Sequence, residues 1–267
     1  MRKRILGAAV LFSFIVSLTA ASNMKEDVKI KEVPAMEGLA AGSIRFAHSF
    51  TPESDEKTGI EKKESMIVTS AYDDDLMQEK IRTTKETDIN LTLNLDGSGT
   101  YNGTCGVGFF DHMLSAFCVH AGFDLDLKMK GDLEVDCHHS IEDLGIVLGQ
   151  AFAEAVGDKG SICRYGSFYI PMDEALGFCS LDISGRPFLV FDAEFTNQSV
   201  GTLDCCMVKE FFRAFAFNGG ITLHLKCLYG ENDHHIIEAL FKAVAHALKE
   251  AVKPNGGQIL SSKGMLA

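Results

Sequence analysis

The stretch from His138 to Val156 returns 96 positions later, without a gap, as His234 to Val252. Both copies open on the same pattern, His138-His139-Ser140-Ile141-Glu142 and His234-His235-Ile236-Ile237-Glu238, and both close on Glu-Ala-Val. Upstream, a spacing of 98 sets Ala116-Phe117 on Ala214-Phe215, Gly122 on Gly220, and Leu125, Leu127 and Lys128 on Leu223, Leu225 and Lys226. Earlier still, a spacing of 88 sets Glu86 on Glu174, Leu93 on Leu181 and Gly97 on Gly185. Self-similarity of this kind restricts the fold to copies of one structural unit packed together.

Each copy has the same order of local signals. Alternating apolar residues predict a half-buried strand at Ile89–Leu95 and Phe178–Ile183. A short helix follows, at Asp111–Ala121 and Asp204–Phe217, then a strand at Phe123–Met129 and Ile221–Leu228. The long HHxxE helix comes last, closed by Gly157 in one copy and Gly256 in the other. That order predicts an α+β fold, an internally duplicated strand-rich unit with helices on one face. The boundaries read as 83–173 for the first repeat and 174–267 for the second.

Ahead of the repeats, Arg2-Lys3-Arg4 and an apolar run to Ala21 resemble a signal peptide over residues 1–22, unless translation starts at Met66 or Met77. Residues 23–82 are polar, with Asp73-Asp74-Asp75 and no sustained period, and read as a disordered arm. A net charge of −12 argues against nucleic acid as a partner, because phosphate binding needs a basic surface. Eight cysteines without a CxxC pair read as reduced, mostly buried thiols.

Residues one apart on a helix diverge by about 100°, whereas residues three or four apart share a face. Glu142 can therefore join His138 or His139 around an ion, but not both. The adjacent histidines serve different ions, and the second copy repeats the arrangement. The 98-residue spacing adds His112 and its counterpart Glu210. Eight candidate ligands result (His112, His138, His139, Glu142, Glu210, His234, His235 and Glu238), four per ion. Imidazoles and carboxylates without thiolates suit a divalent ion such as Mn²⁺.

The segment from Thr84 to Leu266 resembles imidazoleglycerol-phosphate dehydratases through Thr84-Lys85-Glu86-Thr87, Phe110-Asp111-His112-Met113-Leu114 and Asp136-Cys137-His138-His139 with Glu142-Asp143. The likeness continues in Pro171-Met172-Asp173-Glu174, Ser184-Gly185-Arg186-Pro187, Asn232-Asp233-His234-His235 with Glu238-Ala239, and Ser261-Ser262-Lys263-Gly264. It implies a fold like domain 2 of ribosomal protein S5, two Mn²⁺ per active site, and a 24-subunit shell with metals at subunit contacts. The implied reaction converts imidazole glycerol phosphate to imidazole acetol phosphate in histidine biosynthesis, in the cytoplasm, or in a plastid or outside the cell if the leader is genuine. By position, Glu86 is the acid/base that touches substrate, with Glu142 and Glu238 as further catalytic candidates. Arg164, Arg186, Ser261, Ser262 and Lys263 are the implied phosphate binders. A metal on the substrate's imidazole would make the ring an electron sink. Some relatives carry histidine where this chain has Glu210.

His224 reads as a structural or supporting histidine, and His120 and His246 as structural. A secreted di-metal hydrolase and a non-catalytic metal-storing shell are the competing readings. Glu86 and the Arg/Ser/Lys set argue against the shell.

Overall fold

A computed structural model of the chain describes residues 77–263; the apolar leader, the arm up to residue 76 and the last residues after Lys263 lie outside them. The first half runs β1 (Met77–Thr83), β2 (Thr87–Asn94), β3 (Tyr101–Thr104), α1 (Gly108–Ala121), β4 (Asp124–Gly131) and α2 (His138–Val156). The second runs β5 (Tyr165–Met172), β6 (Ala175–Asp182), β7 (Phe188–Asp192), the short pair β8 (Ser199–Val200) and β9 (Leu203–Asp204), α3 (Cys206–Gly219), β10 (Thr222–Tyr229) and α4 (Asp233–Ala251). The result is a mixed α+β molecule.

The two four-stranded sheets have matching orders, β1-β2-β4-β3 and β5-β6-β10-β7. In each the first three strands pair antiparallel and the last joins parallel. Alternation explains why one face of each sheet is dry: Ile89, Leu91 and Leu93 on β2, and Leu223 and Leu225 on β10, point to the core, while their neighbours do not.

Helices of the two halves pack on each other, α2 against α3 and α1 against α4. The α2–α3 contact depends on small residues. A Cβ on Gly145 would stand 2.8 Å from the Phe211 carbonyl oxygen, and one on Gly149 would stand 2.6 Å from that of Phe215. Phenylalanines fill the remaining space: Phe110 meets Phe241 at 5.6 Å between α1 and α4, and Phe152 meets Phe215 at 5.7 Å between α2 and α3. Truncating such a ring to alanine costs about 3–5 kcal/mol.

Three sequence expectations are corrected. Residues 77–82, assigned to the arm, form most of β1, an edge strand with no buried side chain and so no apolar signal. The second half starts earlier than 174, because β5 belongs to the sheet of β6, β10 and β7. Gly256 does not close α4: the helix ends at Ala251 with Val252 as its cap, and Pro254 prevents continuation. There the Ala251 and Lys253 carbonyls accept from Arg164 N and Cys163 N.

All eight cysteines are free thiols, five of them buried, as the reduced reading anticipates. Among the described residues no helix is long and apolar enough to cross a membrane.

Candidate metal centre and active site

Both HHxxE helices start in the same way. The His138 N–H donates to Asp136 Oδ1 at 2.7 Å, and the His234 N–H to Asn232 Oδ1 at 2.9 Å. Asn232 is the cap of α4, and Asp136 stands one residue before Cys137, the cap of α2; each bond satisfies an orphan donor of the first turn, from which the histidines project.

At α4, helical spacing brings His234 Nε2 to 3.3 Å from Glu238 Oε2. His112, from α1 in the other half, adds its Nε2 at 3.7 Å from the same oxygen. The three ligand atoms lie within 4.8 Å of one another. Phe109 packs edge-on to the His234 ring at 4.8 Å, which restrains its rotation. Lys242, one turn beyond Glu238, donates to Glu238 Oε1 at 2.6 Å. Burial opposes the Glu238 charge, but the Lys242 hydrogen bond and charge, with His112 and His234, hold its pKa below the ordinary value. The donor set fits a divalent cation: ligands about 2.1 Å from one ion sit roughly 3 Å apart in adjacent positions and 4 Å in opposite ones. Two imidazoles and an ionised carboxylate converge on one point with Oε2 unclaimed by lysine.

The matching set in the first half is looser. His138 Nε2 is 3.6 Å from Glu142 Oε2, but Glu142 is 39% exposed against 9% for Glu238. Glu210, on α3, is turned to Arg213 at 3.3 Å. Among the described residues only the His112 group gathers three donors.

The second histidine of each pair faces elsewhere. His139 Nδ1 pairs with Asp132 Oδ2 at 3.0 Å, and its Nε2 is 3.8 Å from Glu86 Oε1. His235 Nδ1 pairs with Glu174 Oε2 at 2.7 Å, and its Nε2 is 3.6 Å from Asp173 Oδ2. Hydrogen bonding to Asp132 and to Glu174 raises the pKa of the respective imidazole. Glu174 in turn is held down at about 2, by His235 first and then by the Asn232 N–H. A carboxylate on Nδ1 fixes the tautomer that leaves Nε2 free to ligate.

The anion-binding candidates gather around Asp182. Arg164, 6% exposed, donates to Asp182 through Nε at 2.6 Å and Nη2 at 2.9 Å, and through Nη1 to the Leu260 carbonyl. Three of its five N–H donors are used in this way, and it tethers the loop that carries Ser261, Ser262 and Lys263. Arg186 lies 3.9 Å from Asp182 and is 68% exposed, available to an anion. This group adjoins the C-terminal end of α4, since Arg164 N donates to the Ala251 carbonyl. At about 1.5 Å per residue, the stretch of α4 from His234 and Glu238 to Ala251 separates it from the His112 cluster by roughly 20–25 Å.

The imidazoleglycerol-phosphate dehydratase family model matches residues 105–248. An imidazoleglycerol-phosphate dehydratase from Acetivibrio thermocellus is 59% identical over 187 residues, which span 69% of this chain and 96% of that one. This chain belongs to the imidazoleglycerol-phosphate dehydratase family. A second such enzyme, from Clostridium novyi, is 55% identical over 70% of this chain and 96% of its own. Among solved structures, imidazoleglycerol-phosphate dehydratase from Staphylococcus aureus matches with a TM-score of 0.62 at 42% identity, covering 67% of this chain and 99% of that one. The Pyrococcus furiosus enzyme, solved in complex with (S)-C348, gives 0.60 at 37% identity over 70% and 100%. As a member of this dehydratase family the chain is a hydro-lyase of histidine biosynthesis.

Several residues of this dehydratase site escaped the sequence reading. Lys242 was discoverable from its place four residues after Glu238. Glu174 was aligned with Glu86 but not recognised as a partner of His235, and Asp132 carried no motif. His120 and His246 are structural, with Nδ1 and Nε2 3.0 Å apart between α1 and α4. His224 is exposed on the face of β10 away from the helices.

Proposed function

We propose that this chain dehydrates imidazole glycerol phosphate to imidazole acetol phosphate at two Mn²⁺ positions per active site. The convergence of His112, His234 and Glu238 carries this reading. His138, Glu142 and Glu210 supply the second position, and His139 and His235 complete the pair from other copies of the chain. Bound Mn²⁺ would supply Lewis-acid stabilisation of charge developing on the substrate.

The chain's own groups do the rest. Glu86, half-exposed and 3.8 Å from His139 Nε2, takes the carbon-bound proton and returns one as water leaves. Arg164, Arg186, Lys263 and the hydroxyls of Ser261 and Ser262 hold the phosphate. Arg164 keeps their loop in place through Leu260.

Assembly follows from distance. A substrate with three carbons between ring and phosphate cannot bridge the length of α4, so the cation site of one copy works with the phosphate site of another. That separation supports a 24-subunit shell. So does the outer face of the second sheet, where Tyr169 packs against Phe178 with ring centroids 4.5 Å apart and Phe188 and Val190 are exposed. The matching sheet orders support an internally duplicated unit like domain 2 of ribosomal protein S5. The proposal takes the catalytic body to act in the cytoplasm, without nucleic-acid or membrane partners.

The test is to purify the full chain, strip its metal, restore Mn²⁺, and follow imidazole acetol phosphate while measuring particle mass. Manganese-dependent turnover by a large particle supports the proposal. A folded, manganese-loaded particle without turnover overturns it.

A further inference from the structure

Glu86 sits in the hairpin between β1 and β2, the kind of exposed loop that ordinarily leaves a carboxylate free to wander. Here the hairpin is tied down at several points. Thr84 Oγ1 accepts from Glu86 N at 3.1 Å and Thr87 N at 2.9 Å, a side-chain turn that fixes the backbone. The Glu86 carbonyl accepts from Asp132 N at 3.1 Å, and Asp132 holds His139. The Thr87 hydroxyl donates to Asp143 Oδ2, and Arg82 Nη2 lies 2.9 Å from Asp143 Oδ1. Thr87 and Asp143 are both buried. Asp143 is on α2, next to Glu142 and one turn after His139, so the hairpin is fastened to the helix that presents the histidines.

The second half shows what this group of polar residues is for. At the spacings of 88 and 96, Arg82, Thr87 and Asp143 correspond to Ile170, Ala175 and Ala239. The same hairpin-to-helix contact is therefore made there by apolar side chains, with Ala175 and Ala239 buried. The fold closes without the polar set. Glu174, the counterpart of Glu86, is instead bound by His235 and by the N–H groups of Glu231 and Asn232.

We propose that Arg82, Thr87 and Asp143 form a clamp that positions Glu86 for proton transfer. The inference rests on the reading of Glu86 as the proton carrier. None of the three touches substrate; they act through the hairpin, by holding the Glu86 carboxylate beside His139.

The test uses the full-length, manganese-loaded enzyme. Thr87→Val keeps the shape and removes the hydroxyl. It lowers kcat about tenfold or more, leaves KM within about twofold, and leaves bound manganese unchanged. Thr87→Ser, which keeps the hydroxyl, restores kcat. In a Glu86→Gln background Thr87→Val adds no further loss, because the residue it positions has gone. Normal kcat in Thr87→Val, a loss confined to KM or to metal content, or additive losses in the double variant would overturn the clamp alone. Wild-type turnover in Glu86→Gln overturns the proton-carrier reading and the clamp with it.

Discussion

The two halves share strand order and the HHxxE pattern, yet they have settled their carboxylates in opposite ways. In the second half Glu238 is buried, ion-paired to Lys242 and joined by His112, and Glu174 is immobilised between His235 and two backbone N–H groups. In the first half Glu142 is open to solvent, and Glu86 keeps its side chain free while its backbone is held. A rigid carboxylate suits a ligand or a strut, and a free one beside an imidazole suits proton transfer. The three-donor cluster thus draws on both halves, through His112 and through His234 with Glu238, whereas Glu86 stays exposed beside His139.

The largest effects expected from this contrast fall on Glu86 and Glu238. Glu86→Gln should lower turnover by about 10²-fold or more with manganese content unchanged. Glu174→Gln, at the matching position, should cost far less turnover. Equal losses would mean that the halves do not differ in this way. Glu238→Gln should remove manganese from the assembled site, read as metal per chain after dialysis, with turnover falling in step. Next in size is Lys242→Met, which removes the support of Glu238 and should weaken manganese binding about tenfold in a metal titration. Ile146 stands at the matching place in the first half, so Ile146→Met should leave binding unchanged.

How much of this was legible beforehand depended on whether a feature is local. The HHxxE helices and the inner strands β2, β4, β6 and β10 declare themselves by period, because each buries a continuous apolar face. The edge strand β1 buries nothing and had no such signature. Spacing names the eight ligand candidates, but not which of them the fold brings together. His112 joins His234 and Glu238 only because α1 packs on α4 across the halves, a tertiary fact that no repeat within one half encodes. Arg164 shows another limit: the resemblance implies a phosphate contact for it, but its hydrogen bonds to Asp182 and to the Leu260 carbonyl are tertiary facts that no motif encodes.

The smallest expected effect isolates the difference between Glu174 and Glu86 most cleanly. Glu174 and His235 raise and lower each other's pKa in the usual sense of an ion pair: the carboxylate goes down to about 2, and the imidazole goes up. Glu174→Gln should therefore shift His235 toward an ordinary histidine value, measured by NMR titration of the metal-free protein. The sign of the stability effect follows. A carboxylate with a depressed folded-state pKa stabilises the native state above its unfolded value near 4.5, and this contribution fades as the pH falls toward about 2. His235, with a raised pKa, contributes below its unfolded value and loses that contribution as the pH rises through the folded one. The pair should then be worth most between these limits, in mildly acidic solution, and wild type and Glu174→Gln should converge in melting temperature at either extreme. The Glu86 side chain makes no such short hydrogen bond, so Glu86→Gln should leave the melting temperature close to wild type in the same mildly acidic solution. A matching loss in both variants would show that Glu86 is as fixed as its counterpart, and the division of labour between the halves would fall.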